Sequence, residues 1–179
     1  MMCEKIVLKK AALSFASDLL DYQIRNREFL EKLTPLRDEC FFTLYNQKSI
    51  LQRNIEDYEK GTNYNFYIFH KNDNLLIGHI GLSNIINGVF QSCFLGYSLD
   101  KDYINKGYMT LAIKQTVDFA FNTLSLHRIE ANVMPHNIAS LKVLEKNNFN
   151  KEGLAKKYLK INGKWEDHIH MVLLNELID

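Results

Sequence analysis

Met109-Thr110-Leu111-Ala112-Ile113-Lys114-Gln115-Thr116-Val117-Asp118-Phe119-Ala120-Phe121-Asn122-Thr123-Leu124 is the stretch whose reading decides the fold. Met109, Ala112, Ile113, Thr116, Val117, Ala120, Phe121 and Leu124 recur at the spacing of one helical face, with Lys114, Gln115, Asp118 and Asn122 opposite. That period predicts an amphipathic helix. Residues 128–134 follow it directly with strand character, and residues 90–99 precede it with the same character. Strand, helix, strand in that order implies a right-handed crossover and therefore a parallel pair.

Upstream, Ile6-Val7-Leu8 reads as a short strand, and Phe15, Leu19, Tyr22, Phe29 and Leu33 form a helical stripe, interrupted by Asn26, that ends before Pro35. Ser49 with Gln52 three residues on has the form of a capping box, predicting a second helix that stops at Gly61. Strand-like runs at 65–70, 75–82 and 90–99, separated by Lys71-Asn72-Asp73-Asn74 and by Asn87-Gly88, predict an antiparallel meander. Downstream, Asn137 is a good N-cap for a short helix through Lys146. Strands at 154–161 and 165–174 flank Asn162-Gly163, a hairpin signal. The expected architecture is α+β, a mixed sheet with helices on both faces.

The chain has 179 residues, enough for a single domain spanning 1–179 with a core of its own. Its 22 basic and 21 acidic side chains are spread evenly, which argues against sequence-independent binding of nucleic acid. Three cysteines, Cys3, Cys40 and Cys93, lie far apart with no Cys-x-x-Cys pair, as expected in a reducing compartment. No apolar run reaches the roughly 18 residues of a membrane span, and no signal-peptide pattern opens the sequence. A cytoplasmic protein is expected, a monomer or homodimer, with no membrane partner.

Three segments carry chemistry. Asn105-Lys106-Gly107-Tyr108-Met109-Thr110 leads into the long helix, whose first N–H groups have no internal partner. The segment is either an anion site at the positive end of the helix or a plain turn that needs glycine. Gly96, inside Phe94-Leu95-Gly96-Tyr97-Ser98-Leu99, suggests a bulge, a close backbone approach, or packing against a bulky neighbour. Asn137 and Ser140 sit at N-cap and N3 of the short helix, where a cap alone would explain the asparagine. The six histidines show no i, i+4 pairing with a carboxylate, and no metal site is expected; His168 and His170 share only a strand face.

Taken in order, Leu95-Gly96-Tyr97-Ser98-Leu99, Lys106-Gly107-Tyr108-Met109-Thr110, Leu126-His127-Arg128-Ile129-Glu130-Ala131 and Asn137-Ile138-Ala139-Ser140-Leu141 resemble the GNAT superfamily of acetyltransferases. With Lys151-Glu152-Gly153 and Asn162-Gly163-Lys164-Trp165-Glu166-Asp167-His168, the likeness is to its ribosomal-protein N-acetyltransferase branch, the RimJ/RimL type. The resemblance implies a mostly antiparallel sheet whose central parallel strands splay apart. It implies transfer of acetyl from acetyl-CoA to a primary amine in a ternary complex, without a covalent enzyme intermediate. The pantetheine arm would pair with backbone near Leu99, the pyrophosphate would sit on Asn105, Lys106, Gly107, Tyr108, Met109 and Thr110, and Asn137 would approach the thioester. Ser140 matches the serine that protonates the leaving thiolate, and a bulge near Gly96 and Tyr97 would polarise the acetyl carbonyl.

The sequence departs from the family pattern in places. Asp102 and Asn105 stand where the pyrophosphate loop usually has Arg or Gln and Gly, and Asn147-Asn148-Phe149 replaces Leu-Gly-Phe after the short helix. Asn105 can take a left-handed conformation at modest cost, whereas Asp102 brings a negative charge near the diphosphate. The carboxylate that serves some relatives as general base is Leu159 here, leaving Glu130, or water, for that role. Glu130 has an equal reading as an ion-pair partner of Arg128 or a lysine. A free α-amine, with pKa about 8, is neutral in roughly a tenth of molecules at pH 7, so an enzyme without a strong base suits it better than lysine. A protein N-terminus is thus the expected acceptor, with a polyamine or aminoglycoside as alternatives. Asp18, Glu28, Glu31, Glu56, Asp57 and Glu59 are either a lure for a cationic acceptor or solvated helix faces. A GNAT-shaped module that binds CoA without turnover is the reading from a different class.

Overall fold

A computed structural model describes residues 5–176. Its elements are β1 (Ile6–Lys10), α1 (Ala16–Arg25), α2 (Arg27–Leu30), α3 (Leu44–Lys60), β2 (Tyr64–His70), β3 (Leu76–Ile86), β4 (Ser92–Leu99), α4 (Tyr108–Asn122), β5 (Arg128–Val133), α5 (Ile138–Glu145), β6 (Asn150–Ile161) and β7 (Lys164–Leu174). The seven strands form one sheet in the order β1-β2-β3-β4-β5-β7-β6. Every neighbouring pair is antiparallel except β4 and β5, the pair joined through α4. The α+β expectation and the crossover both hold.

Each face of the sheet has its own core. On one, Met109, Ala112, Ile113 and Ala120 of α4 pack against Ile68, Ile80, Ile129 and Met171. On the other, Leu19 and Tyr22 of α1 and Leu51 of α3 pack against Tyr67, Phe69 and Leu76. β2 therefore carries buried side chains on both sides, as an interior strand must.

Local chemistry sets the boundaries. α3 starts five residues before the expected Ser49, because Thr43 is the cap and accepts a hydrogen bond from the Asn46 N–H. The Ser49 hydroxyl instead bonds back to the Tyr45 carbonyl and Gln52 reaches Glu56, both inside the helix. Gly61 ends α3 with φ 70°, as expected. Asn162 and Gly163, at φ 50° and 83°, close the β6–β7 hairpin in the conformation that matches strand twist. β6 begins at Asn150, four residues earlier than expected.

Asn26 interrupts the first helical stripe because its side chain does structural work. Its amide donates to the Tyr22 carbonyl at 2.9 Å and to Asp100 Oδ2 at 3.0 Å, and its own oxygen accepts from the Lys101 N–H at 2.9 Å. Asp100 also accepts from Arg25 Nε at 2.6 Å and from the Asp102 N–H at 3.0 Å. Burial alone would raise the Asp100 pKa, but the hydrogen bonds from Asn26, the Asp102 N–H and Arg25 outweigh it and hold the carboxyl below its ordinary value. This cluster ties the end of α1 to the end of β4. Asp100→Ala should cost about 3 kcal/mol in urea unfolding, the penalty of stranding a buried partner; a loss under about 1 kcal/mol would show that packing alone holds α1 in place.

Candidate active site

β4 and β5 pair through only three registers, Ser92 with Arg128, Cys93 with Ile129 and Phe94 with Glu130. Beyond them β4 keeps its pairing to β3 up to Leu99 and β5 keeps its pairing to β7 up to Val133, so the sheet opens along its centre. The direction of the peptide groups follows from both ends of β4. The Gln91 carbonyl accepts from the His127 and Arg128 N–H groups at the β5 side, and the Asp100 N–H donates to Ile77 of β3. Since peptide direction alternates along a strand, the backbone N–H and C=O of Tyr97 and Leu99 face the gap. Asn132 faces it from β5 by the same reasoning.

That alternation runs unbroken through Gly96, so no residue is inserted there. The expected bulge is absent; register shifts fall instead between Ile68 and Phe69 and between Ser83 and Ile86. The packing explanation for Gly96 fails as well, because a Cβ at that position would meet nothing within 4 Å. The glycine keeps a cleft open. The Tyr97 N–H reaches the gap through ordinary strand geometry and needs no bulge to do so.

A cleft of about 430 Å³ occupies the gap, lined by Leu99, Asn105, Gly107, Tyr108, Met109, Thr110, Asn137 and Ser140 among others. Asn105 is left-handed at φ 59° and Gly107, the N-cap of α4, at φ 80°. The first intrahelical bond of α4 runs from Leu111 to Gly107, which leaves the N–H groups of Tyr108, Met109 and Thr110 at the mouth without helical partners. No acidic residue occupies that turn. This geometry suits an anion. Lys106 is the exception among the expected loop residues: it does not line the cleft, and its ammonium bonds to the Asp102 carbonyl at 2.6 Å. Asp102 is exposed and outside the lining too. Lys142 on α5 and Lys146 at its C-terminal cap, four residues apart, supply cations that the sequence reading missed, although their i, i+4 spacing was visible.

Asn137 caps α5 by accepting from the Ser140 N–H at 3.2 Å. The Ser140 hydroxyl lies 2.7 Å from the Tyr97 hydroxyl. Burial pushes the Tyr97 phenol well above its ordinary pKa, so it stays protonated and can donate to Ser140, freeing the serine proton for the gap. Tyr97 was not foreseen as this partner.

Glu130 is not brought together with Ser140. It projects on the opposite face of the sheet, 3.0 Å from Arg128 and 2.9 Å from His170 Nδ1, and lines neither cleft. His168 bonds through Nδ1 to the Glu166 carbonyl at 3.0 Å.

A second cleft, about 320 Å³, opens on the α1 face and shares Leu30, Thr34, Gly96, Tyr97 and Ser98 with the first. Asn65, His79, Arg27, Arg37 and Glu31 line it. Of the six acidic residues weighed as a lure for cations, Glu31 alone is in the lining, and its carboxylate is bound to Arg27 at 3.0 Å. Arg27 is also bound by Glu39 at 2.6 Å, which leaves Arg37 as the cation of the lining outside this ion-pair cluster.

The chain matches the family description "Acetyltransferase (GNAT) domain" over residues 14–150. It belongs to the GNAT acetyltransferase family. A probable N-acetyltransferase of Bacillus subtilis, YjcK, is 44% identical over 170 residues, covering 95% of this chain and 94% of that protein. The [ribosomal protein uS5]-alanine N-acetyltransferase of Escherichia coli is 37% identical over 151 residues, covering 84% and 78%. The crystal structure of a ribosomal-protein-S5-alanine acetyltransferase from Vibrio fischeri superposes with TM-score 0.93 at 38% identity, covering 98% and 96%. RimJ of Mycobacterium smegmatis, solved with a CoA-disulfide, superposes at 0.90 with 27% identity, covering 97% and 83%. This GNAT protein is thus an acetyl-CoA-dependent acetyltransferase of the RimJ/RimL type. Among its described residues no group of His, Cys, Asp or Glu could hold a metal ion, and no helix is long and apolar enough to cross a membrane.

His79, at the edge of the second cleft, has its pKa lowered to about 4 by burial, with a smaller contribution from Arg37. The sign for stability follows. The unfolded imidazole, with pKa about 6.5, binds a proton that the folded one refuses, so stability is complete above about pH 6.5 and falls as pH drops toward 4. Urea unfolding of the wild type should lose up to about 1.4 kcal/mol per pH unit more than His79→Gln across that window. Parallel stability curves would show that His79 titrates normally in the folded protein.

Proposed function

We propose that this acetyltransferase acts in the cytoplasm on the N-terminal α-amine of a protein, with a ribosomal protein as the acceptor its relatives suggest. The observation that carries the reading is the meeting of two clefts at Gly96, Tyr97 and Ser98. One cleft offers a strand edge and an anion site for acetyl-CoA; the other brings an acceptor to the same backbone from the opposite face.

In this reading the amides of the pantetheine arm pair with the peptide groups of Leu99 and Tyr97, which lack a strand partner on that side. The pyrophosphate rests on the N–H groups of Tyr108, Met109 and Thr110, with Asn105 and Gly107 shaping the turn and Lys142 and Lys146 adding charge. Lys106 contributes through its backbone alone. The neutral α-amine attacks the thioester carbonyl carbon; the C–S bond breaks as the C–N bond forms. Ser140, hydrogen-bonded by the Tyr97 hydroxyl and placed at the positive end of α5, gives its proton to the departing thiolate and takes one back from solvent, which receives the proton lost by the amine. The proton lost by the amine goes to water rather than to Glu130, whose carboxylate is engaged by Arg128 and His170. A free α-amine tolerates so weak a base because roughly a tenth of it is neutral at pH 7.

Ser140→Ala should lower kcat roughly 10- to 1000-fold and leave the acetyl-CoA Kd nearly unchanged, because the bond strengthens only as the thiolate develops. Single-turnover kinetics with an N-terminal peptide, beside calorimetric titration of acetyl-CoA, reads both. Wild-type turnover in the variant would remove Ser140 from the reaction, and absence of turnover by the wild type on any amine would favour a binding module.

A further inference from the structure

A chain of three side chains runs from α1 along its face of the sheet to the second cleft. The Tyr22 hydroxyl lies 2.7 Å from Ser98 Oγ, and Ser98 Oγ lies 2.9 Å from His79 Nδ1. The buried end of this chain sets the direction of its first bond. Tyr22 is wholly buried, and Ser98 is the side chain within hydrogen-bonding distance of its hydroxyl, so the phenolic proton goes to Ser98. Ser98, accepting from Tyr22, then has its own proton to give to His79 Nδ1. A neutral imidazole that accepts at Nδ1 carries its proton at Nε2, and the His79 ring lines the cleft. In that arrangement the chain presents an N–H donor in the second cleft, next to the Ser98 that both clefts share, from a residue otherwise suited to be a base.

The surroundings say what that donor is for. Arg37 lines the same cleft over the Phe41 ring, and the carboxylate present, Glu31, is already held by Arg27. A donor-rich cleft recognises oxygen acceptors. An α-amine at the head of a peptide has such an oxygen two bonds from its amine-bearing carbon, whereas a polyamine has none.

We propose that His79 Nε2–H, held in that tautomer by Tyr22 and Ser98, binds the first carbonyl of the acceptor peptide and makes the enzyme selective for peptide α-amines over bare amines. His79 contacts the acceptor; Tyr22 and Ser98 are positioning residues that act through it. This rests on the α-amine reading given above and adds the group that enforces it.

The test compares a tetrapeptide beginning with alanine and its isostere in which the first carbonyl is replaced by methylene and the following N–H by oxygen. Taking the ratio of kcat/KM for the two acceptors within each variant cancels their different amine pKa values between variants. The wild type should prefer the peptide by about 10- to 100-fold, mostly in KM, as expected for a site built around one hydrogen bond. His79→Leu should lose that preference at least tenfold, and His79→Gln, which keeps a side-chain N–H, should recover part of it. Tyr22→Phe should raise the peptide KM several-fold with kcat unchanged. Long-range proton–nitrogen NMR of the wild-type protein should show His79 protonated at Nε2, and Tyr22→Phe should shift it toward a mixture. A preference retained in His79→Leu, or a wild-type His79 protonated at Nδ1, overturns this proposal while leaving the α-amine reading intact. A wild type that acetylates polyamines and not the peptide overturns both.

Discussion

A sheet that opens in its middle leaves peptide groups without partners, and the rest of this structure is arranged around that cost. After Phe94 and Glu130 the two central strands no longer bond to each other. The N–H and C=O groups of Tyr97, Leu99 and Asn132 are left facing a gap in which a ligand with amides of its own would complete the ladder. An unpaired backbone group away from water costs about as much as a lost hydrogen bond, so such an edge is worth keeping only where something binds to it. Each strand is therefore secured on its outer side. β4 holds to β3 through Leu99, β5 holds to β7 through Val133, and the Asp100, Arg25 and Asn26 cluster pins the open end of β4 to α1.

The same helix serves the second cleft. Tyr22, one turn before Asn26, meets Ser98 and through it His79, so the element that anchors β4 also reaches the lining of that cleft. On the other face of β4, Tyr97 reaches Ser140 on α5. Alternation along one strand thus turns Ser98 toward His79 in the second cleft and Tyr97 toward Ser140 in the first, with Gly96 leaving room between them. The two proposed roles, selectivity and proton donation, thus rest on the two faces of one extended segment.

What the sequence made legible was local. The α4 period, the Asn137 cap and the Asn162-Gly163 turn each depend on neighbours a few residues away, and each stands where its pattern placed it. So does the left-handed Asn148, at φ 64°, in place of a glycine after α5. The start of α3 misled because Ser49 and Gln52 imitate a cap whose work Thr43 does. Gly96 misled for a different reason: a glycine inside a strand signals a bulge or a close neighbour, and here it signals empty space. The contacts that give the site its chemistry join residues 43, 19 and 76 positions apart, namely Tyr97 with Ser140, His79 with Ser98, and Tyr22 with Ser98. No short-range pattern records them. Glu130 shows both cases: its pairing with Arg128 follows from two residues on one strand face, while its pairing with His170 needs the β5–β7 register.

Amide hydrogen exchange at Tyr97 and Leu99, measured by NMR with and without saturating acetyl-CoA, tests the central claim most directly. These two amides face the gap, whereas those of Gly96 and Ser98 face β3 and serve as the internal reference. The account predicts that acetyl-CoA slows exchange at Tyr97 or Leu99 by at least about tenfold, as expected for a newly formed ladder bond, with little change at Gly96 and Ser98. Exchange at both that stays fast while calorimetry shows acetyl-CoA bound would mean that the open strand edge is not where the ligand lies.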